Sequence, residues 1–353
     1  MLCSSLLIPG HFHRLLPKKH VALFVFGDSL FDAGNNNYIN TTTHYQANFW
    51  PYGESFFKYP TGRFSDGRLI PDFIAEYAGL PLVPTFLPPY EDKFIYGVNF
   101  ASGGVGALVE THQGYVIDLL QDCGEAVEAK TRYAEAKTLL CNAVYLFSIG
   151  SNDYDAALTT NSSVLQSDYS KKEFIGMVIS NLTTIIKEIY KTGGRKFGFA
   201  RLGALGCSPR MRALVNGSSG SCSETAASEL AKLHNIEFYK AMEELEKQLT
   251  GLKYSVHDFY DSGVEVMNNA SRYGFKEAVM ACCGSGPYRG ISSCGGSGRG
   301  IEECELCENP GEYLFFDSGH PSERVNKLIA ELMWSGTPNV TWPCNLKKLF
   351  EHS

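Results

Sequence analysis

A serine attacks a carbonyl efficiently only when a base takes its proton and a third group holds that base. Gly27-Asp28-Ser29 directly follows the apolar run "VALFVF". A hydroxyl just past a buried strand faces the crevice where open α/β sheets bind ligands, and the glycine lets the chain turn sharply. A lone Gly-Asp-Ser is an ordinary strand-to-helix turn, so its partners decide what it means. "YLFFDSGHPSERVNKLIAELMWSG" supplies them: Asp317 stands three residues before His320, close enough within one turn to accept the Nδ1 proton. Pro321 is placed at the first turn of a terminal helix. No other of the nine histidines has such a setting; His257, inside "YSVHDFY", reads as a packed or hydrogen-bonded strand residue.

Acyl transfer also needs donors for the oxyanion that develops. The Ser29 backbone N–H, at the start of a helix, is one candidate. "SIGSNDY" puts Asn152 just after the strand "AVYLFSIG", and "GVNFASGGVG" offers the N–H of Gly104, with Gly103 as the alternative. Singly these are turn residues. Beside Ser29 and Asp317-x-x-His320 they form a set.

Such a set has to be held by a rigid scaffold. "VALFVF", "AVYLFSIG", "KFGFARLG" and "YSVHDFY" read as strands, three of them almost continuously hydrophobic, as strands covered on both faces are. Helix-period segments lie between them. "KKEFIGMVISNLTTIIKEIYKTGG" places Phe174, Met177, Ile185 and Ile189 on one face and stops at Gly193-Gly194. "SCSETAASELAKLHNIEFYKAMEELEKQLTG" opens with Ser223 as N-cap and closes at Gly251. The alternation predicts an α/β fold whose parallel sheet carries helices on both faces. With no repeat or low-complexity linker, residues 21–350 read as one domain with insertions. The largest, residues 38–96, holds Phe49, Trp50, Phe56, Phe57, Phe64, Phe86 and Tyr90. These are packing residues first and candidate walls of an acyl pocket second.

Composition narrows the partners. The 353 residues are 44% hydrophobic and 20% charged, enough for a large core. A net charge of −7 without basic clusters excludes nucleic acid and anionic membranes and points to a small molecule. Eleven cysteines suit disulfides in an oxidising compartment. A zinc site using Cys304-x-x-Cys307 is the rival, but the Cys282-Cys283 pair favours disulfides, and the odd total leaves one thiol unpaired. Asn40, Asn161, Asn181, Asn216, Asn269 and Asn339 open glycosylation sequons, so the expectation is a secreted glycoprotein. Residues 1–20 begin with "MLCSSLLIPG", a short apolar stretch without a basic n-region, and read as the remnant of a signal peptide. No run of eighteen apolar residues offers a transmembrane anchor.

The ordered blocks "FGDSLFDAGNN", "GVNFASGGVG", "SIGSND" and "FFDSGHP", with "LGALGCSPR" and "ACCGSGPYRG" between them, resemble the plant GDSL esterase/lipase family, a branch of the SGNH hydrolases. The resemblance spans residues 21–342. It implies a three-layer α/β/α sandwich, flavodoxin-like, with the nucleophile near the N-terminus. It carries the family's roles to Ser29, Gly104, Asn152 and His320, with Asp317 completing a triad and Asn35 to Asn37 fixing the loop after the serine. One departure is Phe316, where the family often has tryptophan; pocket packing should change more than chemistry. No Gly-x-Ser-x-Gly elbow of the other serine hydrolase design occurs. The implied activity is hydrolysis of a small-molecule ester through an acyl-enzyme, with no metal or cofactor. The alternatives are transfer of the acyl group to an alcohol and, further off, a binding or signalling protein without turnover.

Overall fold

The computed structural model describes residues 21–88, 94–117, 134–159, 167–214, 221–295 and 304–351. The N-terminal segment 1–20, Tyr90, Asn161 and Asn216 lie outside them. The four expected strands form: β1 (Leu23–Gly27), β2 (Val144–Ser148), β3 (Lys196–Ala200) and β4 (Lys253–His257) lie parallel in that order. Their period-two alternation sorts the side chains by shape. Phe24, Phe26, Tyr145, Phe147, Phe197 and Phe199 share one face, where neighbouring rings such as Phe26 and Phe147 stack 5.0 Å apart. Leu23, Val25, Val144 and Leu146 occupy the other.

The helices are α1 (Ile70–Tyr77), α2 (Ala134–Asn142), α3 (Ser151–Thr159), α4 (Asp168–Lys191), α5 (Pro209–Leu214), α6 (Ala226–Gln248), α7 (Phe259–Asn268), α8 (Glu323–Ser335) and α9 (Leu346–Glu351). The apolar stripes of α4 and α6 bury the aromatic face of the sheet, and those of α1, α8 and α9 bury the aliphatic face. This is the α/β/α sandwich. Short strands lie beside it: β5 (Glu277–Ala281) pairs with β8 (Tyr313–Phe315), and β6 (Cys283–Gly284) with β7 (Glu305–Leu306). A fifth strand of the main sheet, β9 (Thr341–Pro343), runs antiparallel to β4.

Several local expectations need correction. Phe174, Ile185 and Ile189 are buried on α4, but Met177 is 51% exposed, because the buried stripe passes through Val178. Helix α6 is capped by Thr225, whose hydroxyl accepts Ser228 N–H, while Ser223 sits in a separate 3₁₀ turn, Cys222–Glu224, tethered by the Cys207–Cys222 disulfide. Pro321 precedes α8 instead of opening it. Phe316 N–H donates to His320 O and Ser322 N–H to Leu314 O, so the chain is still paired with β8 there and the helix begins at Glu323.

The cysteine cluster forms Cys282–Cys307 and Cys283–Cys294. Cys307 is thereby removed as a metal partner for Cys304. Among the described residues Cys141, Cys304 and Cys344 are free, while Cys3 and Cys123 lie outside them. The sulfur of Cys304 lies 3.2 Å from that of Cys283, which is already bonded to Cys294.

The large connection between β1 and β2 has one feature that matters for the site. Residues 98–102 run alongside β1 in the same direction, with Val25 N–H donating to Val98 O, Phe100 N–H to Val25 O and Ser102 N–H to Gly27 O. Three chain segments therefore end together at the carboxyl edge of the sheet. They lead to Ser29, to Gly103-Gly104 and, from β2, to Asn152.

Candidate active site

After Gly27 the chain winds once around Asp28. Phe31 and Asp32 N–H donate to its carbonyl, Leu30 N–H to its Oδ1 at 3.0 Å, and Ser151 Oγ–H to its Oδ2 at 2.6 Å. The turn does not grow into the expected helix. Asp32 Oδ1 takes the N–H groups of Gly34 and Asn35, 2.7 Å each, and leads the chain away. Ser29 thus stands on a tight turn at the edge of a cleft.

Asp317 and His320 arrive from the far end of the sequence. Cys282 and Cys283 N–H donate to the carbonyls of Phe315 and Phe316, so the disulfide-bonded segment grips the chain directly before Asp317. Asp317 Oδ1 then caps the reversal by accepting Gly319 N–H at 2.9 Å and His320 N–H at 2.8 Å. His320 Nδ1 lies 2.7 Å from the same oxygen, and its Nε2 lies 2.7 Å from Ser29 Oγ. The two nitrogens have one consistent assignment. Nδ1–H donates to the carboxylate, which leaves the Nε2 lone pair to accept the Ser29 hydroxyl.

Electrostatics favour that state. Burial works against the Asp317 carboxylate, yet the charge and hydrogen bonds of His320, with donors from Tyr52 and Gly319, hold it below the ordinary aspartate value. Burial likewise opposes a charged His320, but the adjoining Asp317 carboxylate raises its pKa above 6.5. The imidazole is therefore a stronger base than a free one.

Tyr52 is the participant that sequence reasoning missed. Fully inside the protein, its hydroxyl donates to Asp317 Oδ2 at 2.6 Å, and its ring meets Phe316 edge-on at 5.5 Å. Burial, followed by the Asp317 charge, pushes its phenol well above the usual tyrosine range, so it remains a donor. Phe316 packs in this same cluster, beside the carboxylate and away from the cavity lining. Among the aromatics of residues 38–96, Tyr45, Phe49, Tyr52 and Phe64 line the cavity, Trp50 and Phe56 are exposed, and Phe86 packs on Phe100.

The expected oxyanion donors come to the same cleft. Ser29, Gly104 and Asn152 line it together with His320. The two glycines differ: Gly103 N–H is spent on Asp32 Oδ2 at 3.0 Å. Neither Ser29 nor Gly104 has a backbone N–H partner among the described residues. Gly104 has φ +91°, and a Cβ there would strike the Tyr45 ring, so only glycine fits. Asn152 donates one amide proton to Val105 O at 2.9 Å, which orients the group and leaves the second proton over.

The loop carrying Gly104 is clamped from both sides. Asn35 Nδ2 donates to the carbonyls of Asn99 and Ala101, and Asn36 Nδ2 to Gly103 O. Opposite them, Asp153 accepts the N–H groups of Ala107 and Leu108 and the hydroxyl of Thr111. Burial pushes Asp32 and Asp153 up to about 6 despite these donors. Asn35 and Asn36 thus tie the turn after Ser29 to the Gly104 loop, whereas Asn37 Nδ2 donates to Thr61 O instead. His257 is as expected: fully buried, facing Thr341 Oγ1 at 3.0 Å and lowered to about 4 by burial.

A hydrolase of carboxylic esters on an α/β/α sandwich is the class that this fold and cleft define. The chain belongs to the GDSL-like lipase/acylhydrolase family, whose family model matches residues 23–333. It is 51% identical over 338 residues to GDSL esterase/lipase 1 of Arabidopsis thaliana, a match covering 94% of this chain and 90% of that protein. It is 47% identical over 343 residues to a GDSL lipase of Tanacetum cinerariifolium, covering 96% and 90%. A third relative, at 35% over 341 residues and covering 96% and 76%, is named inactive GDSL esterase/lipase-like protein 25 of Arabidopsis thaliana.

Proposed function

We propose that Ser29 is the nucleophile of a two-step ester hydrolysis, with His320 as general base and Asp317 as the group that orients it. One relative carries the name inactive, so family membership alone does not secure turnover. What supports it is the unbroken path from Ser29 Oγ through His320 Nε2 and Nδ1 to Asp317, with 2.7 Å at each hydrogen bond. As Ser29 Oγ attacks the ester carbonyl, its proton passes to Nε2, and Asp317 stabilises the imidazolium. The N–H groups of Ser29 and Gly104 and the second Asn152 amide proton receive the oxyanion. His320 then protonates the departing alcohol. Water, deprotonated by the same imidazole, attacks the acyl-enzyme and releases the acid.

A fluorophosphonate tests this without reference to any natural substrate. It should label the protein once, on the peptide containing Ser29. The labelling rate should climb with pH and level off only above the His320 pKa, hence above 6.5, because the neutral imidazole is the active form and Asp317 raises its pKa. Labelling elsewhere, or a rate flat from pH 5 to pH 9, would remove His320 as the base.

We also read the protein as exported through an oxidising compartment. The three disulfides among the described residues and the exposed sequon residues Asn40, Asn269 and Asn339 support this. Asn181 is half-buried and donates to Ala107 O, so it is a poor acceptor. Protein made in a eukaryotic secretory host should lose mass on treatment with an N-glycan amidase. An unchanged mass would count against glycosylation.

A further inference from the structure

The cleft is part of a cavity of about 560 Å³, within the usual range for small-molecule sites. Its two ends differ in chemistry. One is bordered by Thr43, His44, Gln46, Asp155 and Arg210. The other passes between α7 and α8 into the aliphatic layer. There α7 contributes Phe259, Gly263, Val266 and Met267, and the facing wall includes Leu314 and Ile329. The four α7 positions are spaced as one face of a helix. Leu30, next in sequence to Ser29, also lines the cavity, so this arm starts beside the proposed nucleophile.

Gly263 is the unexplained residue on that face. A glycine inside a helix is less stable than alanine by roughly 0.5–1 kcal/mol. No positive φ requires it, and no neighbour does either, since an added Cβ would meet no heavy atom within 4 Å. The missing side chain leaves open volume in the middle of an otherwise apolar face. The charged groups around the cavity are also engaged with one another: Arg201 with Asp258, Arg210 with Asp155 and His320 with Asp317. The α7–α8 arm therefore suits a hydrocarbon.

We propose that this arm binds the acyl chain of the ester, and that Gly263 sets the longest chain it accepts. The inference rests on the assignment of Ser29 as nucleophile. The substrate class is then an ester of an aliphatic acid whose alcohol portion lies toward the polar end.

The experiment compares wild type, Gly263→Ala and Gly263→Leu on p-nitrophenyl esters from acetate to dodecanoate. The dodecanoate-to-acetate ratio of kcat/KM should fall about tenfold or more in Gly263→Leu, in keeping with the worth of a few methylenes in an apolar pocket, and less in Gly263→Ala. A melting curve identifies any variant that fails to fold, and alanine, which favours helix and has room for its methyl, keeps the test valid in that event. An unchanged ratio in the folded variants overturns the proposal. Fluorophosphonate labelling of the same wild-type preparation separates the two readings. A labelled Ser29 with an unchanged ratio rejects the acyl arm alone, whereas an unlabelled Ser29 rejects the nucleophile beneath it.

Discussion

Ser29→Ala is expected to lower kcat/KM for a simple ester by about 10⁴-fold or more and to abolish fluorophosphonate labelling, while the melting temperature stays within a degree or two. The asymmetry follows from the contacts. The Ser29 side chain is half-buried at the cleft, and its hydrogen bond is to His320 Nε2, a ring still 19% exposed. Water can replace the lost hydroxyl at that nitrogen, so stability changes little. Nothing can replace it as the atom that bonds to the acyl carbon. Transfer to an added alcohol should vanish with hydrolysis, because both pass through the same acyl-enzyme. Wild-type turnover in a folded Ser29→Ala protein would refute the proposed chemistry outright.

The next largest effect is expected at Asn152. Asn152→Ala should reduce kcat by roughly 10²- to 10³-fold with little change in KM, since a donor aimed at the oxyanion acts mainly once negative charge has formed. Collapse of the local structure is not the anticipated cause. Ser151 still holds Asp28, and Asp153 still holds the loop through Ala107, Leu108 and Thr111. Steady-state kinetics on one ester decide the matter. A rise in KM alone would move Asn152 from the oxyanion hole to substrate binding.

What could be read from sequence depended on how local the signal was. The four parallel strands were legible because each is a compact apolar run, and Asp317 with His320 because three residues separate them. β9 escaped because three residues, one of them proline, show no periodicity. Tyr52 escaped for a different reason. It touches Asp317 across 265 residues of chain, and nothing near it in sequence distinguishes it from the neighbouring aromatics. The proposal of Gly104 over Gly103 as oxyanion donor also depends on a distant residue, Asp32, which claims the Gly103 N–H from 71 residues away. Met177 was misplaced by one step of a helix, about 100°, enough to carry a side chain from the buried stripe to the solvent.

The Ser29–His320 hydrogen bond spans 291 residues, almost the whole chain. A ribosome makes the hydroxyl 291 residues before the imidazole proposed as its base. Until that imidazole is made, the proposed nucleophile is an ordinary alcohol that threatens no ester in its surroundings. A chain that stalls or is cut before Asp317 stays equally harmless. Under the proposed chemistry, catalytic competence thus waits until two distant segments of the chain have both been made and have met, and ester cleavage is in effect a readout of that meeting.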